Sequence, residues 1–125
     1  MTITEAINEV EMLKPNMYDD EWKVRCLSRL DERIYRDIIL THKRNEGEPE
    51  VVFEPYVVED RDRELLVDEP YAEIYVRWLE AQIDYSNREF DAFNNSNAVF
   101  ESVFSAFRND YNRTHMPLGA AKRYW

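Results

Sequence analysis

Aromatic residues at helical spacing restrict most strongly what this chain can fold into. Two sets of four follow one another at steps of three, four or seven positions: Tyr71, Tyr75, Trp78 and Tyr85, then Phe100, Phe104, Phe107 and Tyr111. Side chains at such steps lie on one face of an α-helix. Each helix therefore needs a large apolar surface against its aromatic face, either inside the same domain or on a neighbouring subunit.

The composition agrees with a single helical domain. At 125 residues, with 44% hydrophobic and 34% charged residues, the chain is long enough for one folded core with a well-solvated surface. Only two glycines occur, Gly47 and Gly119, and this scarcity disfavours tight-turned β architectures. Cys26 is the single cysteine, so no disulfide can form within a monomer, and its apolar neighbours predict a core position.

The sequence predicts an all-α fold of four main helices in one domain, residues 1–117, followed by a C-terminal tail, residues 118–125. The first helix begins at a capping box formed by Thr2 and Glu5. The second begins at Asp19 or Asp20, whose carboxylates suit a helix start, and continues to about Leu40.

The second pair of helices is less sharply bounded. The third helix follows Pro70 and either ends near Ser86 and Asn87 or continues to Phe93. The segment Asn94–Asn97 consists of turn and cap residues, so the fourth helix is predicted from about Asn97 to Asn112.

Residues 41–68, between helices two and three, differ in composition from the rest of the chain. Pro49 and Pro55 interrupt the segment, acidic residues dominate it, and β-prone residues occur at 51–53 and 56–58. We expect an acidic loop that contains short strands or a β-hairpin. A loop of this length in a compact domain usually has a function of its own or is mobile.

Charge is distributed unevenly along the chain, whose formal net charge is −10. Residues 44–69 contain ten acidic residues against three arginines, a balance of −7, whereas residues 108–125 contain four basic residues against one aspartate, a balance of +3. The acidic excess disfavours direct binding to duplex DNA. An acidic loop and a basic tail allow head-to-tail contact between copies, although the loop would equally serve as solvated surface that keeps the protein soluble.

No catalytic arrangement is visible in the sequence. His42 and His115 are far apart, and neither belongs to a paired metal-ligand spacing. Glu80 and Asp84 are one helical turn apart and are expected to form an exposed pair of like charges. We therefore predict a protein that is not an enzyme and that needs no metal or cofactor. The absence of a leader pattern and of an apolar run of about 18 residues predicts a soluble, cytoplasmic protein.

Tyrosine supplies an indication of function. The chain has eight tyrosines, and protein interfaces favour this residue because its ring is buried while its hydroxyl stays hydrated. Tyr124 and Trp125 belong to no helical pattern and follow the basic residues Lys122 and Arg123. The tail is expected either to insert into a partner as an anchor or to fold back onto its own domain.

Six segments carry a family resemblance. Those in the second half are YVRWLEAQIDY at 75–85, FNNS at 93–96 and YNRTHMP at 111–117; those in the first half are TI with EAI at 2–7, LKPN at 13–16 and LSRLDERI at 27–34. Together they resemble a family of small proteins encoded by phages and prophages of Gram-positive bacteria. The resemblance covers nearly the whole chain except the acidic loop and the last eight residues.

Members of this family are similar to head–tail connector (adaptor) proteins of long-tailed phages. The resemblance implies a small helical subunit of a ring, commonly twelvefold, in the neck of the virion, assembled in the cytoplasm of the bacterial host. It implies as partners further copies of the chain, the portal protein and a tail-side stopper or tail terminator, with DNA passing through without specific binding and no membrane involved. The residues expected at interfaces are Glu59, Asp60, Asp62, Tyr111, Arg113, His115, Arg123, Tyr124 and Trp125.

Two alternatives from other classes remain open. An acidic binding module could mimic DNA and inhibit a host nuclease or regulator, which requires acidic groups spaced along a convex face rather than concentrated in one loop. A small helical enzyme would require His42 and His115 to converge with a carboxylate.

Overall fold

The computed structural model describes residues 1–119 and contains four α-helices, as predicted. They are α1 (Ile3–Leu13), α2 (Asp20–Ile34), α3 (Glu73–Ser86) and α4 (Phe90–Thr114). A short turn joins α3 and α4 into an antiparallel hairpin, and α1 and α2 both pack against α3. Within residues 1–119, no helix combines the length and the apolar character needed to cross a membrane.

Local signals start the first two helices as predicted. The Thr2 hydroxyl accepts a hydrogen bond from the Glu5 amide at 3.1 Å, and the Glu5 carboxylate accepts one from the Thr2 amide at 2.9 Å, which completes the capping box. The Asp19 carboxylate caps α2 by accepting from an amide of its first turn at 2.9 Å. Beyond α2 the chain continues as a π-helical turn, Tyr35–Ile39, so helical structure ends one residue before the predicted Leu40.

The start of α4 differs from the prediction. α3 ends at Ser86, one of the two ends predicted, but α4 begins at Phe90. Between them Arg88 adopts a left-handed conformation with φ of 60°. Glycine is the usual residue at such a helix end, so an arginine there carries no strong turn signal. The predicted turn at Asn94–Asn97 is wrong, because these residues lie inside α4.

The predicted β-hairpin is also wrong, because residues 41–68 contain no strand. The loop is irregular except for one short 3₁₀ turn, Val58–Asp60. It also contributes one residue to each of two isolated bridges. The Tyr56 amide donates to Ser28 Oγ, and the Val57 amide donates to a carboxylate oxygen of the 3₁₀ turn, each at 3.0 Å. These β-prone residues bond to side chains instead of to a partner strand.

Aromatic side chains of α3 and α4 lie at the centre of the core. Phe100 and Phe104 are buried, and the Trp78 ring lies 5.0 Å from the Phe100 ring, centroid to centroid. Trp78 Nε1 donates to the Cys26 carbonyl at 2.8 Å. Cys26 is buried, as predicted, and its burial raises the pKa of the thiol to about 11. Much of the aromatic surface is therefore covered within the domain itself.

A buried carboxylate joins α2, the loop and α3. Asp31 has no exposed surface, and it accepts hydrogen bonds from the Tyr56 hydroxyl at 2.5 Å, the Tyr75 hydroxyl at 2.6 Å and the Leu66 amide at 3.0 Å. The Tyr75 hydroxyl in turn accepts from the Val67 amide at 2.8 Å. Burial raises the pKa of Asp31, and the three donated hydrogen bonds offset part of that rise.

We expect Asp31 to make stability depend on pH in the acidic range. Because its pKa is higher in the folded protein than in the unfolded chain, the folded state binds this proton more tightly. The stabilisation is complete below the unfolded pKa of about 3.9 and is lost as pH rises through the folded pKa. In urea unfolding, the advantage of the wild type over Asp31→Asn should therefore be largest at the acid end. An advantage that grows with pH would contradict this assignment.

Two further acidic groups depart from the prediction. Asp84 is buried and accepts from Lys14 Nζ at 2.5 Å, while Glu80 pairs with Arg77 at 2.8 Å. The prediction that Glu80 and Asp84 form an exposed pair of like charges is therefore wrong, since each has a cationic partner of its own. The partner of Asp84 lies just beyond α1, a non-local contact that helical spacing does not reveal.

Candidate interaction site around Tyr111

The C-terminal end of α4 is tied to the chain that follows the π-helical turn. The Lys43 amide donates to the Met116 carbonyl at 2.7 Å, and the Leu118 amide donates to the Thr41 carbonyl at 2.8 Å. These bonds flank an isolated antiparallel bridge. Residues that are distant in sequence, including both histidines, therefore meet at one end of the domain.

Tyr111 lies between the two histidine rings. His115 stacks on it with a centroid distance of 3.8 Å and an interplanar angle of 3°, and His42 meets it edge-on at 5.1 Å and 88°. The half-buried Tyr111 ring also lies 6.0 Å from Phe107 on the aromatic face of α4. Burial, followed by the nearby Glu48 carboxylate, raises the pKa of the Tyr111 hydroxyl. The phenol therefore stays neutral and able to donate a hydrogen bond near neutral pH.

Both imidazole rings are engaged by other groups. His42 Nδ1 lies 2.6 Å from the Ile38 carbonyl, and Nε2 lies 2.7 Å from Asn112 Oδ1. His115 Nε2 lies 2.9 Å from the Glu48 carboxylate, and Nδ1 lies 3.0 Å from the neighbouring threonine hydroxyl. The two histidines and a carboxylate thus converge, as the enzyme alternative requires. Each ring nitrogen contacts an oxygen of another residue, so the two rings join the loop to the end of α4.

A cleft with apolar and charged lining residues runs beside these rings. One part has a volume of about 340 Å³ and adjoins His42 and Leu118, and the other has a volume of about 380 Å³ and reaches Tyr71. Both volumes lie within the range of ligand-binding pockets, roughly 300–1,000 Å³. The two parts, which together we call the Tyr111 cleft, share five residues: Ile39, Glu48, Pro49, Val51 and Tyr111.

The structure places the predicted interface residues of α4 on different surfaces. Tyr111 lines the Tyr111 cleft, and His115, which directly follows α4, stacks on the Tyr111 ring. Arg113 is exposed and pairs with Asp110 at 2.6 Å, so it belongs to the outer surface of the helix end. Three predicted residues lie outside the described part of the chain: Arg123, Tyr124 and Trp125.

The predicted acidic residues lie in a second region, in and after the 3₁₀ turn. Glu59 and Asp62 are exposed there, whereas Asp60 is partly buried and accepts from the Val57 amide within its own turn. The carbonyl of Arg61 accepts from an amide of the first turn of α1 at 3.0 Å. This turn therefore packs against the N-terminal part of the chain and contributes no residue to the lining of the Tyr111 cleft.

Sequence reasoning missed the loop side of the cleft. In the sequence, Glu48 is one acid among many and His42 is an isolated histidine. Their contacts with Tyr111 and His115 depend on the pairing of the chain after α2 with the chain after α4, which no local pattern signals. Two features of the sequence point to this end of the helix: the aromatic periodicity of α4 and the YNRTHMP segment at 111–117.

No group of three or more histidine, cysteine, aspartate or glutamate side chains within residues 1–119 is arranged to hold a metal ion. Comparison with known proteins found no matching family model, no matching curated protein and no matching solved structure.

Proposed function

We propose that this chain is a structural adaptor subunit of the head–tail connector class of long-tailed phages. Two observations support the proposal. The first is the resemblance carried by segments between residues 2 and 34 and between residues 75 and 117. The second is the presence of exposed apolar side chains at two separate ends of the domain. A ring built by head-to-tail contact needs two different surfaces on each subunit.

The first of these surfaces lies beside the turn between α3 and α4. The Lys14–Asp84 ion pair of 2.5 Å and the Tyr18–Asn87 hydrogen bond of 2.9 Å hold the end of α1 and the chain after it against this turn. We call it the turn surface, and its exposed large apolar side chains are Leu13, Met17, Tyr85 and Phe90.

Tyr85 is on the aromatic stripe of α3 but is not covered within the domain. It is 57% exposed, and its ring lies 6.1 Å from the ring of Phe90, which is 55% exposed. Met17 lies in the connection between α1 and α2 and is fully exposed. These side chains have little cover within their own domain, which is typical of a protein contact surface.

The second surface lies at the opposite end of α4, next to the Tyr111 cleft. Leu40, Met116 and Leu118 are exposed there. α4 has 25 residues and is therefore about 37 Å long, which separates this end from the turn surface. Exposed apolar groups at two separate ends carry the proposal, because one head-to-tail contact between copies would cover both.

The charge of the chain suits a ring through which DNA passes. A net charge of −10 repels nucleic acid and so avoids trapping it. In this proposal the subunit lies in the virion neck after assembly in the bacterial cytoplasm. Its partners are further copies of itself, the portal protein on one side and a stopper or tail terminator on the other.

Charged substitutions on the turn surface are expected to prevent self-assembly. Met17→Glu combined with Phe90→Glu would bury unpaired charge in the contact, at a cost that removes most of its stability. Electron microscopy and native mass spectrometry of concentrated wild type should show closed rings, and the variant should show monomers.

The matched control is Val57→Glu combined with Val99→Glu. Val57 is exposed in the loop and Val99 in the interior of α4, and the charge change is the same. This variant should still form rings. A wild type that stays monomeric at every concentration, or a turn-surface variant that assembles normally, would contradict the proposed function.

A further inference from the structure

The part of the Tyr111 cleft that reaches Tyr71 is the wider of the two. This wider part combines apolar surface with an acidic edge. Val51, Tyr71 and Phe107 contribute apolar surface, and the Tyr71 and Phe107 rings lie 6.0 Å apart. No lysine or arginine of the described chain lines this part, whereas four carboxylates do: Glu48, Asp68, Glu69 and Asp110. Such a surface suits a ligand that carries positive charge together with aromatic side chains.

Two of these four carboxylates are available to a new partner. Glu48 contacts His115 at 2.9 Å, and Asp110 contacts Arg113 at 2.6 Å. Asp68 and Glu69, in contrast, are exposed and form no ion pair within residues 1–119. They lie in the chain just before α3, next to Tyr71, so charge and apolar surface are adjacent.

The chain itself contains a segment of matching chemistry. Residues 120–125 include two basic residues followed directly by two aromatic ones: Lys122, Arg123, Tyr124 and Trp125. The segment begins just after Gly119, and Leu118 lines the adjoining part of the cleft. Six residues can span up to about 20 Å, and the two parts of the cleft are continuous through the five residues that they share.

We propose that residues 120–125 dock in the Tyr111 cleft of their own chain. The basic side chains would lie beside Asp68 and Glu69, and the aromatic side chains would cover Tyr71 and Phe107. A segment attached so close to its site has an effective concentration on the order of millimolar, which favours the same chain over a second copy. The inference concerns the isolated subunit and is independent of the proposed function.

A spin label on the segment tests this docking in the full-length protein. Ala121→Cys supplies the attachment site, because the native Cys26 is buried and its thiol pKa is raised to about 11, which disfavours labelling. Amide NMR signals of residues 66–71 and 107–111 are expected to lose most of their intensity. Signals of the turn surface, at the far end of α4, are expected to keep theirs. Retained intensity at 66–71 and 107–111 would overturn the proposal.

Two comparisons separate docking at this acidic edge from non-specific attraction and from docking between copies. Asp68→Lys combined with Glu69→Lys should abolish the broadening, whereas Glu59→Lys combined with Asp62→Lys makes the same charge change in the 3₁₀ region and should leave it intact. Persistent broadening in the Asp68/Glu69 variant would overturn the proposal. In a mixture of spin-labelled protein with unlabelled ¹⁵N protein, broadening would show docking into a second copy and would overturn docking within one chain.

Discussion

Replacing Asp31 by alanine is expected to lower the free energy of unfolding by about 4 kcal/mol. Three donors would lose their acceptor: the buried Tyr56 and Tyr75 hydroxyls and the partly buried Leu66 amide. Each buried polar group left without a partner costs roughly 1–3 kcal/mol. Because a domain of this kind is stable by about 5–15 kcal/mol in total, the variant should be folded only marginally.

Urea unfolding at neutral pH, followed by circular dichroism, measures this loss. Asp37→Ala is the matched control, since Asp37 is exposed just after α2 and its side chain forms no hydrogen bond within the described residues. The control should change the free energy of unfolding by no more than about 0.5 kcal/mol. A loss below about 1 kcal/mol for Asp31→Ala would show that the buried network contributes little.

The Asp31 network also bears on the Tyr111 cleft. Leu66, whose amide donates to Asp31, and Val67, whose amide donates to Tyr75, both line the wider part of the cleft. Loss of the carboxylate would free this stretch of the loop from the helices. In Asp31→Ala, the NMR signals of residues 66–71 should therefore broaden while the rest of the domain is still folded. The core network would in this way also determine the shape of the site.

The helices could be predicted because their signals are local. The capping box at Thr2 and Glu5, the cap at Asp19 and the aromatic spacing of α3 and α4 each depend on residues a few positions apart. The turn at Arg88 could not be predicted, because its left-handed residue is not a glycine. The β-prone loop residues have the composition of a hairpin, but Tyr56 donates its amide to Ser28 Oγ and its hydroxyl to the Asp31 carboxylate, and no strand forms there.

The candidate site, like the fold, could be predicted from the sequence only in part. Tyr111 lies on a predicted helical stripe, so its place on the aromatic face of α4 followed from the sequence. Its neighbours His42 and Glu48 come from the chain after α2, and their approach requires the pairing of residues 41–43 with residues 116–118. Contacts between segments about seventy positions apart depend on the assembled tertiary structure and leave no periodic trace in one sequence.

Removing the acidic partner of a buried lysine is expected to destabilise the domain more than removing the lysine itself. Lys23 on α2 has no exposed surface, and its ammonium donates to the Glu11 carboxylate and to the Tyr18 carbonyl. Glu11→Ala would leave a buried positive charge with one neutral acceptor, which costs about 3 kcal/mol. Lys23→Met would remove the charge and fill most of the same volume, at a cost of less than about 1.5 kcal/mol.

The order of these two losses follows from unequal burial of the pair. The Glu11 side chain is 38% exposed, so its carboxylate can return to water when the lysine is absent, whereas the Lys23 ammonium cannot. Urea unfolding of both single variants and of the double variant measures the asymmetry, with Glu9→Ala as the exposed control on α1. The double variant should be about as stable as Lys23→Met and more stable than Glu11→Ala. If Lys23→Met lowered the free energy of unfolding more than Glu11→Ala, packing of the lysine stem would contribute more to stability than the ion pair with Glu11 does.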